Sequence, residues 1–279
     1  MKILLTANVK EKSKRYTFDK MDLILKAQID NILDCGWKAD DIILVANVDY
    51  EFLGVKAIKA QLNDKCLTGS KMFGVEFALD NNLIGDEILW AKDLDVWSNI
   101  KFPAPKMKEI GITTYSTPKL NGGSVFWRSS AIDIVKHVIA EINKGEEKEE
   151  PTLNRLLKKE YRHRITVLNT TYNVGCSGFF PRAYMADKPI KACHLNPTNR
   201  IAWETHRLNR DGMNIVSVSS RLEMVLRKYY DLAYDLKSKK DRKRSEELRE
   251  RHEKHLAKGK YKKRKRQEWK KPLLNSATN

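Results

Sequence analysis

The chain has 279 residues, 41% of them hydrophobic, and a formal net charge of +17. The hydrophobic share supplies a core for one large domain or two small ones, which excludes a wholly disordered chain. No run of eighteen apolar residues occurs and Ile3-Leu4-Leu5 gives way at once to Thr6-Ala7-Asn8, so neither a transmembrane anchor nor a secretory leader is expected.

Lys2 to Ala7 reads as a buried strand. Phe18, Met21, Leu25, Ile29, Ile32 and Leu33 recur at helical spacing, and Gly36 ends the pattern. The continuous apolar run from Asp41 to Val48 is a second strand, of the kind found in parallel sheets covered on both faces, so the opening is β-α-β. A helix is expected from Thr68-Gly69-Ser70 through Leu79, followed by a strand in the stretch Glu87–Trp97. That strand runs into Asp93-Leu94-Asp95, and as strand residues the two aspartates would share one face. Like charges so placed suit the solvated end of a strand or a divalent cation held between them.

After Pro103 and Pro105 come Ile112-Thr113-Thr114-Tyr115 and then Leu120-Asn121-Gly122-Gly123, where the paired glycines fit a close approach to a ligand, a bulge or a tight turn. Ser129 to Ile142 is helical by periodicity. Glu146-Glu147-Lys148-Glu149-Glu150 then leads into Pro151-Thr152-Leu153-Asn154, a pattern that also suits the positive end of a helix dipole. Ile165 to Leu168 is a short strand, and Cys193-His194-Leu195-Asn196-Pro197 is expected in a loop before a helix from Ile201. Cys35, Cys66, Cys176 and Cys193 show no C-x-x-C spacing, which points to free thiols and a cytoplasmic location, the host cytoplasm if the protein is viral.

Residues 221–279 hold 21 Lys and Arg against 9 Asp and Glu, which is +12 of the +17 net charge. Leu222 to Leu236 keeps a helical apolar stripe, but almost every later residue is charged. The chain is therefore divided into a folded domain, 1–236, and a basic tail, 237–279, that is helical or disordered.

The order of these motifs resembles the GT-A class of nucleotide-sugar glycosyltransferases. The resemblance rests on the first strand with Thr6-Ala7-Asn8, Asp93-Leu94-Asp95, the Asn121-Gly122-Gly123 turn, the Glu-Pro-Thr-Leu-Asn segment at Glu150, and a late His194. It implies an α/β, GT-A-like single domain with a Rossmann-like open sheet, and an enzyme that takes its sugar from a nucleoside diphosphate. Asp95, Asp93 and His194 would hold Mn2+ or Mg2+, with the imidazole favouring manganese. Thr6, Ala7 and Asn8 would meet the nucleoside, and Asn121, Gly122 and Gly123 would lie along the sugar and acceptor. Glu150 would be the general base, with helix capping by charge as its other reading; a base there implies inversion at the anomeric carbon.

The tail is the guide to the acceptor. Its charge density suits nucleic acid, since each phosphate contact adds about 0.9 to the dependence of log affinity on log salt. An anionic membrane surface or simple solubility would also use it, but an apolar face for membrane binding is missing. The architecture is similar to the phage and base-J-type enzymes that glycosylate hydroxymethylated pyrimidines in DNA, which extrude the target base. Tyr115, Trp127, Phe179, Phe180 and Trp203 would stack on such a base or belong to the core. The competing readings are transfer to a surface glycan or lipid, a non-catalytic DNA-binding protein, and a two-carboxylate nuclease.

Overall fold

The computed structural model describes residues 1–10, 17–62, 70–115, 118–145, 148–175 and 186–194. Lys2–Ala7 (β1), Phe18–Asp34 (α1) and Ile42–Ala46 (β2) form the β-α-β opening, with β1 and β2 parallel from Ile3 opposite Ile42 to Ala7 opposite Ala46. Met21, Leu25, Ile29 and Ile32 are the buried stripe of α1. A hairpin that the sequence reading lacks follows: Glu51–Phe52 (β3) and Val55–Lys59 (β4), joined through Leu53 and Gly54, both at positive φ. Only Val55 of β4 is buried, so the strand carries no apolar run to betray it, and its exposed lysines suit a strand near the sheet edge.

Ser70–Asp80 (α2) leads to Leu89–Lys92 (β5), Val96–Ser98 (β6), Ile110–Thr114 (β7) and Leu120–Trp127 (β8). Ile132–Asn143 (α3), Glu149–Lys159 (α4), Ile165–Val167 (β9), Val174–Gly175 (β10) and Ala192–His194 (β11) follow. The main sheet has the order β3-β4-β2-β1-β5-β8-β7-β9, in which β4, β2, β1 and β5 are parallel and β8 runs against both its neighbours. A small second sheet has the order β10-β11-β6, with β10 and β11 parallel and β11 antiparallel to β6.

Every residue of β2, β5 and β8 is buried, because the main sheet is covered on both faces. One face packs Leu4, Val45, Leu89, Ala91 and Val125 against α2, α3 and α4. The other packs Ile3, Leu5, Leu44, Trp90 and Phe126 against α1. Alternation along β5 therefore sends Leu89 and Ala91 one way and Trp90 the other, and the chain leaves the sheet at Asp93.

Trp127 is wholly buried in the first of these cores, which removes it as a platform for an extruded base. Phe179, Phe180 and Trp203, the helices expected from Ile201 and Leu222, the boundary at 236 and the tail all lie outside the described residues. Among the described residues, no helix is long and apolar enough to cross a membrane.

Candidate active site

Asp93 and Asp95 are not strand residues. β5 ends at Lys92 and the next four residues turn, with the Val96 N–H donating to the Asp93 carbonyl at 3.0 Å. The turn nevertheless gathers both carboxylates, since ligand atoms of Asp93, Asp95 and His194 all lie within 4.8 Å of one another. Nor is His194 in a loop. It ends β11 as the register partner of Val96, so a backbone ladder delivers its ring to the aspartates. His194 Nε2 stands 3.0 Å from Asp95 Oδ1. Burial pushes the Asp95 carboxyl up, but the charge and hydrogen bond of His194 outweigh it and hold the carboxyl below its ordinary range.

The Asn121-Gly122-Gly123 segment lies inside β8 and is not a turn before it. The irregularity falls there: Ile112 pairs with Val125, yet the next residue, Thr113, pairs with Asn121, so β8 bulges between them. A Cβ on Gly123 would sit 2.4 Å from His194 Cε1 and 2.6 Å from Nδ1, closer than any side chain tolerates. Gly123 thus makes room for the histidine. Asn121 braces the bulge by accepting from the Gly123 N–H at 2.9 Å, while its buried Nδ2 has no hydrogen-bond partner among the described residues.

Lys71, in the first turn of α2, reaches under the same turn. Its Nζ lies 2.6 Å from Asp93 Oδ1 and 3.1 Å from Glu149 Oε1, and it donates to the Gly122 carbonyl at 2.5 Å. Burial pulls the ammonium toward neutrality, but the two carboxylates prevail and hold it above the ordinary lysine value. Glu149 is buried too; loss of water raises it to about 7 against the pull of Lys71. Two carboxylates and an imidazole offer hard oxygens and one borderline nitrogen, which fits Mn2+ well and Mg2+ less well.

No protein-family model and no curated protein matches the sequence. Solved structures do. The glycosyltransferase GlyE of Streptococcus pneumoniae TIGR4 matches with a TM-score of 0.50 at 12% identity, over 83% of this chain and 64% of that one. The fold is GT-A-like. A glycosyltransferase involved in glycosylation of the major capsid of PBCV-1 matches with a TM-score of 0.46 at 15% identity, over 74% of this chain and 98% of that one. Mouse xyloside xylosyltransferase 1 matches with a TM-score of 0.39 at 13% identity, over 70% and 97% of the two chains.

Within this GT-A-like frame Thr6 and Ala7 end β1, beside β5, the strand that leads into the aspartate turn, and Asn8 donates to Ser70 Oγ at 3.0 Å. The buried Thr6 hydroxyl has no hydrogen-bond partner among the described residues. Glu150 sits in the first turn of α4, where its acidity does complement the helix. Its Oε2 accepts from the Tyr115 hydroxyl at 2.7 Å and its Oε1 lies 2.5 Å from Lys119 Nζ. Burial raises the Glu150 carboxyl, but Lys119 and Tyr115 together bring it below the ordinary value. Lys71 and the buried state of Glu149 escaped the sequence reading. A lysine in a first helical turn, where the dipole disfavours cations, was the available signal.

Proposed function

We propose that this chain is a metal-dependent glycosyltransferase that moves a sugar from a nucleoside-diphosphate donor to a hydroxyl acceptor. The observation that carries the proposal is the convergence of Asp93, Asp95 and His194 at the carboxyl end of β5 in a GT-A-like sheet. These three residues would hold Mn2+ or Mg2+, and the bound ion would offset charge growing on the departing diphosphate. The chain's own groups account for the rest. The ends of β1 and β5 are adjacent, which supports a reading in which Thr6, Ala7 and Asn8 would meet the nucleoside next to the aspartates. Asn121 Nδ2, which has no hydrogen-bond partner among the described residues, would donate to a sugar hydroxyl, and the Gly122-Gly123 backbone flanks it.

Glu150 is the candidate base. Lys119 and Tyr115 keep it ionised and ready to accept a proton from the acceptor hydroxyl, which implies inversion at the anomeric carbon. Glu149 is less suited: it is buried beside Lys71 and disposed to hold its proton near neutrality.

For the acceptor we favour DNA bearing hydroxymethylated pyrimidines, on the strength of the basic residues 237–279, which carry 18 Lys and Arg against 6 Asp and Glu. The test is to incubate the full chain with Mn2+, a panel of nucleotide sugars, and hydroxymethylated or plain DNA. Sugar transferred only to modified DNA supports the whole reading. Hydrolysis of a nucleotide sugar with no transfer to DNA would keep the enzyme and overturn the acceptor, bringing a surface glycan or lipid forward. Neither hydrolysis nor transfer, with DNA still bound, would leave a DNA-binding protein.

A further inference from the structure

The turn that carries Asp93 and Asp95 is held from below by α1, through side chains that belong to none of the roles above. Gln28, wholly buried, donates both amide hydrogens to backbone carbonyls of the turn: Leu94 O at 2.8 Å and Val96 O at 3.1 Å. Its Oε1 accepts from Lys92 Nζ at 2.5 Å, and the same ammonium donates to Val96 O at 2.8 Å. Lys92 is the last residue of β5 and is itself buried, with Nζ 5.2 Å from the centre of the Trp90 ring. One turn further along α1, Asn31 exchanges a pair of hydrogen bonds with Ser98, 2.9 Å each way, as a strand neighbour would.

An α-helix normally meets a sheet with apolar side chains, and α1 does so elsewhere through Met21, Leu25, Ile29 and Ile32. At Gln28 and Asn31 it meets β6 with amides matched to backbone groups. Val96 O is the meeting point of the Gln28 amide and the Lys92 ammonium, and Val96 is also the residue that pairs with His194. The position of that one peptide therefore fixes both the turn holding the carboxylates and the strand holding the imidazole.

We infer that Gln28 and Lys92 are positioning residues that set the separation of Asp95 from His194, and with it the affinity of the site for a divalent cation. Lys92 is not a nucleophile here: two of its hydrogens are committed to Gln28 and Val96 and its ammonium is sealed from solvent. The inference rests on the metal reading of Asp93, Asp95 and His194. Partners that orient metal ligands are worth about 10- to 100-fold in metal affinity when removed.

The experiment is a Mn2+ titration of the purified full chain, followed through the electron paramagnetic resonance signal of free Mn2+, on wild type, Gln28→Leu, Lys92→Met and Ile142→Ala. Ile142 lies in the core of α3, on the far face of the sheet, and matches a loss of thermal stability without touching the turn. Lys92→Met keeps the length of the side chain and its apolar packing, and so remains interpretable should Gln28→Leu fail to fold. The expected result is Mn2+ affinity about 10-fold weaker or worse in Lys92→Met and Gln28→Leu, with Ile142→Ala close to wild type. Wild-type affinity in Lys92→Met, or an equal loss in Ile142→Ala, would overturn the positioning role while leaving the metal site standing. A wild-type chain that binds no Mn2+ would overturn the metal site, and the inference with it.

Discussion

Two buried lysines flank the Asp93–Val96 turn, one on each side of the main sheet, and they are driven in opposite directions. Among the described residues Lys92, on the α1 side, meets only neutral acceptors, Gln28 Oε1 and Val96 O, and burial lowers it to about 7. Lys71, on the α2 side, meets the carboxylates of Asp93 and Glu149, and is held above its ordinary value although it too is buried. Burial alone makes a lysine shed its proton; a carboxylate partner reverses the sign. The α1 side is thus a clamp of hydrogen bonds, whereas the α2 side is an ionic network continuous with the candidate metal ligands.

The largest effect should come from the charged side. Asp95→Asn removes a ligand charge without changing side-chain volume, and should lower sugar-nucleotide turnover by at least about 100-fold. The fold should survive, and circular dichroism with a Mn2+ titration checks both halves. Turnover at the wild-type rate would end the metal reading.

Next in size is the contrast between the lysines themselves. Lys71→Met strands Glu149 in the core opposite Asp93 and should cost about 3 kcal/mol of unfolding free energy. Lys92→Met removes a buried ammonium that burial disfavours and leaves only the neutral Gln28 Oε1 without its donor, so at neutral pH it should cost clearly less than Lys71→Met or stabilise the chain. Equal losses in urea unfolding would erase the distinction between the two sides.

The adjacent glycines allow a sharper cut. Gly123→Ala would drive a methyl into the His194 ring, costing about 1–3 kcal/mol and weakening Mn2+ binding. Gly122→Ala would meet its nearest neighbour, Leu153 Cδ1, at an ordinary 3.5 Å and should be tolerated. Thermal melts with and without Mn2+ separate the pair.

Stability should then depend on pH with two opposed slopes. Glu149 is raised from 4.5 to about 7 in the fold, so its contribution is complete below pH 4.5 and is lost as pH rises to about 7. Lys92 is lowered from 10.5 to about 7, so its contribution is present above pH 10.5 and is lost as pH falls toward 7. Glu149→Gln should flatten the acid window of a melting-temperature profile and Lys92→Met the alkaline one. A profile unchanged in either variant would show that its group titrates as in the unfolded chain.

The fold was more legible in the sequence than the site was. The β-α-β opening and the strand before the aspartates announce themselves because their apolar runs are continuous, and a sheet covered on both faces demands that. The β3–β4 hairpin stayed hidden because a polar edge strand leaves no such run. Asp93, Asp95 and His194 were legible as residue types, yet the reason they meet was not: β11 pairs with β6 across about a hundred residues of chain, which no local pattern encodes. Gly123 was readable as a special position, and the neighbour that requires it, His194, was not. The two lysines were visible as letters only. Their charges are decided by partners contributed from α1 and α4, and such partners appear only once the chain is folded.

The smallest effect tests Glu150, whose carboxylate is steadied from outside either buried network. The Tyr115 hydroxyl donates to Oε2 and Lys119 pairs with Oε1, so the ionised form is favoured although burial opposes it. Because the folded value lies below the ordinary 4.5, the stabilisation from this carboxylate is present above pH 4.5 and is lost as pH falls through the folded value. Tyr115→Phe removes one donor and leaves the Lys119 pair, so the proton affinity of Glu150 should rise part of the way back. If Glu150 takes the acceptor's proton, the acid limb of the turnover profile should move to higher pH while the plateau above it stays near wild type. The same variant should lose a little stability above pH 4.5 and none well below it. An acid limb that stays in place while that stability loss appears would make Glu150 a helix-capping charge, and the base would have to be sought elsewhere around the Asp93–Val96 turn.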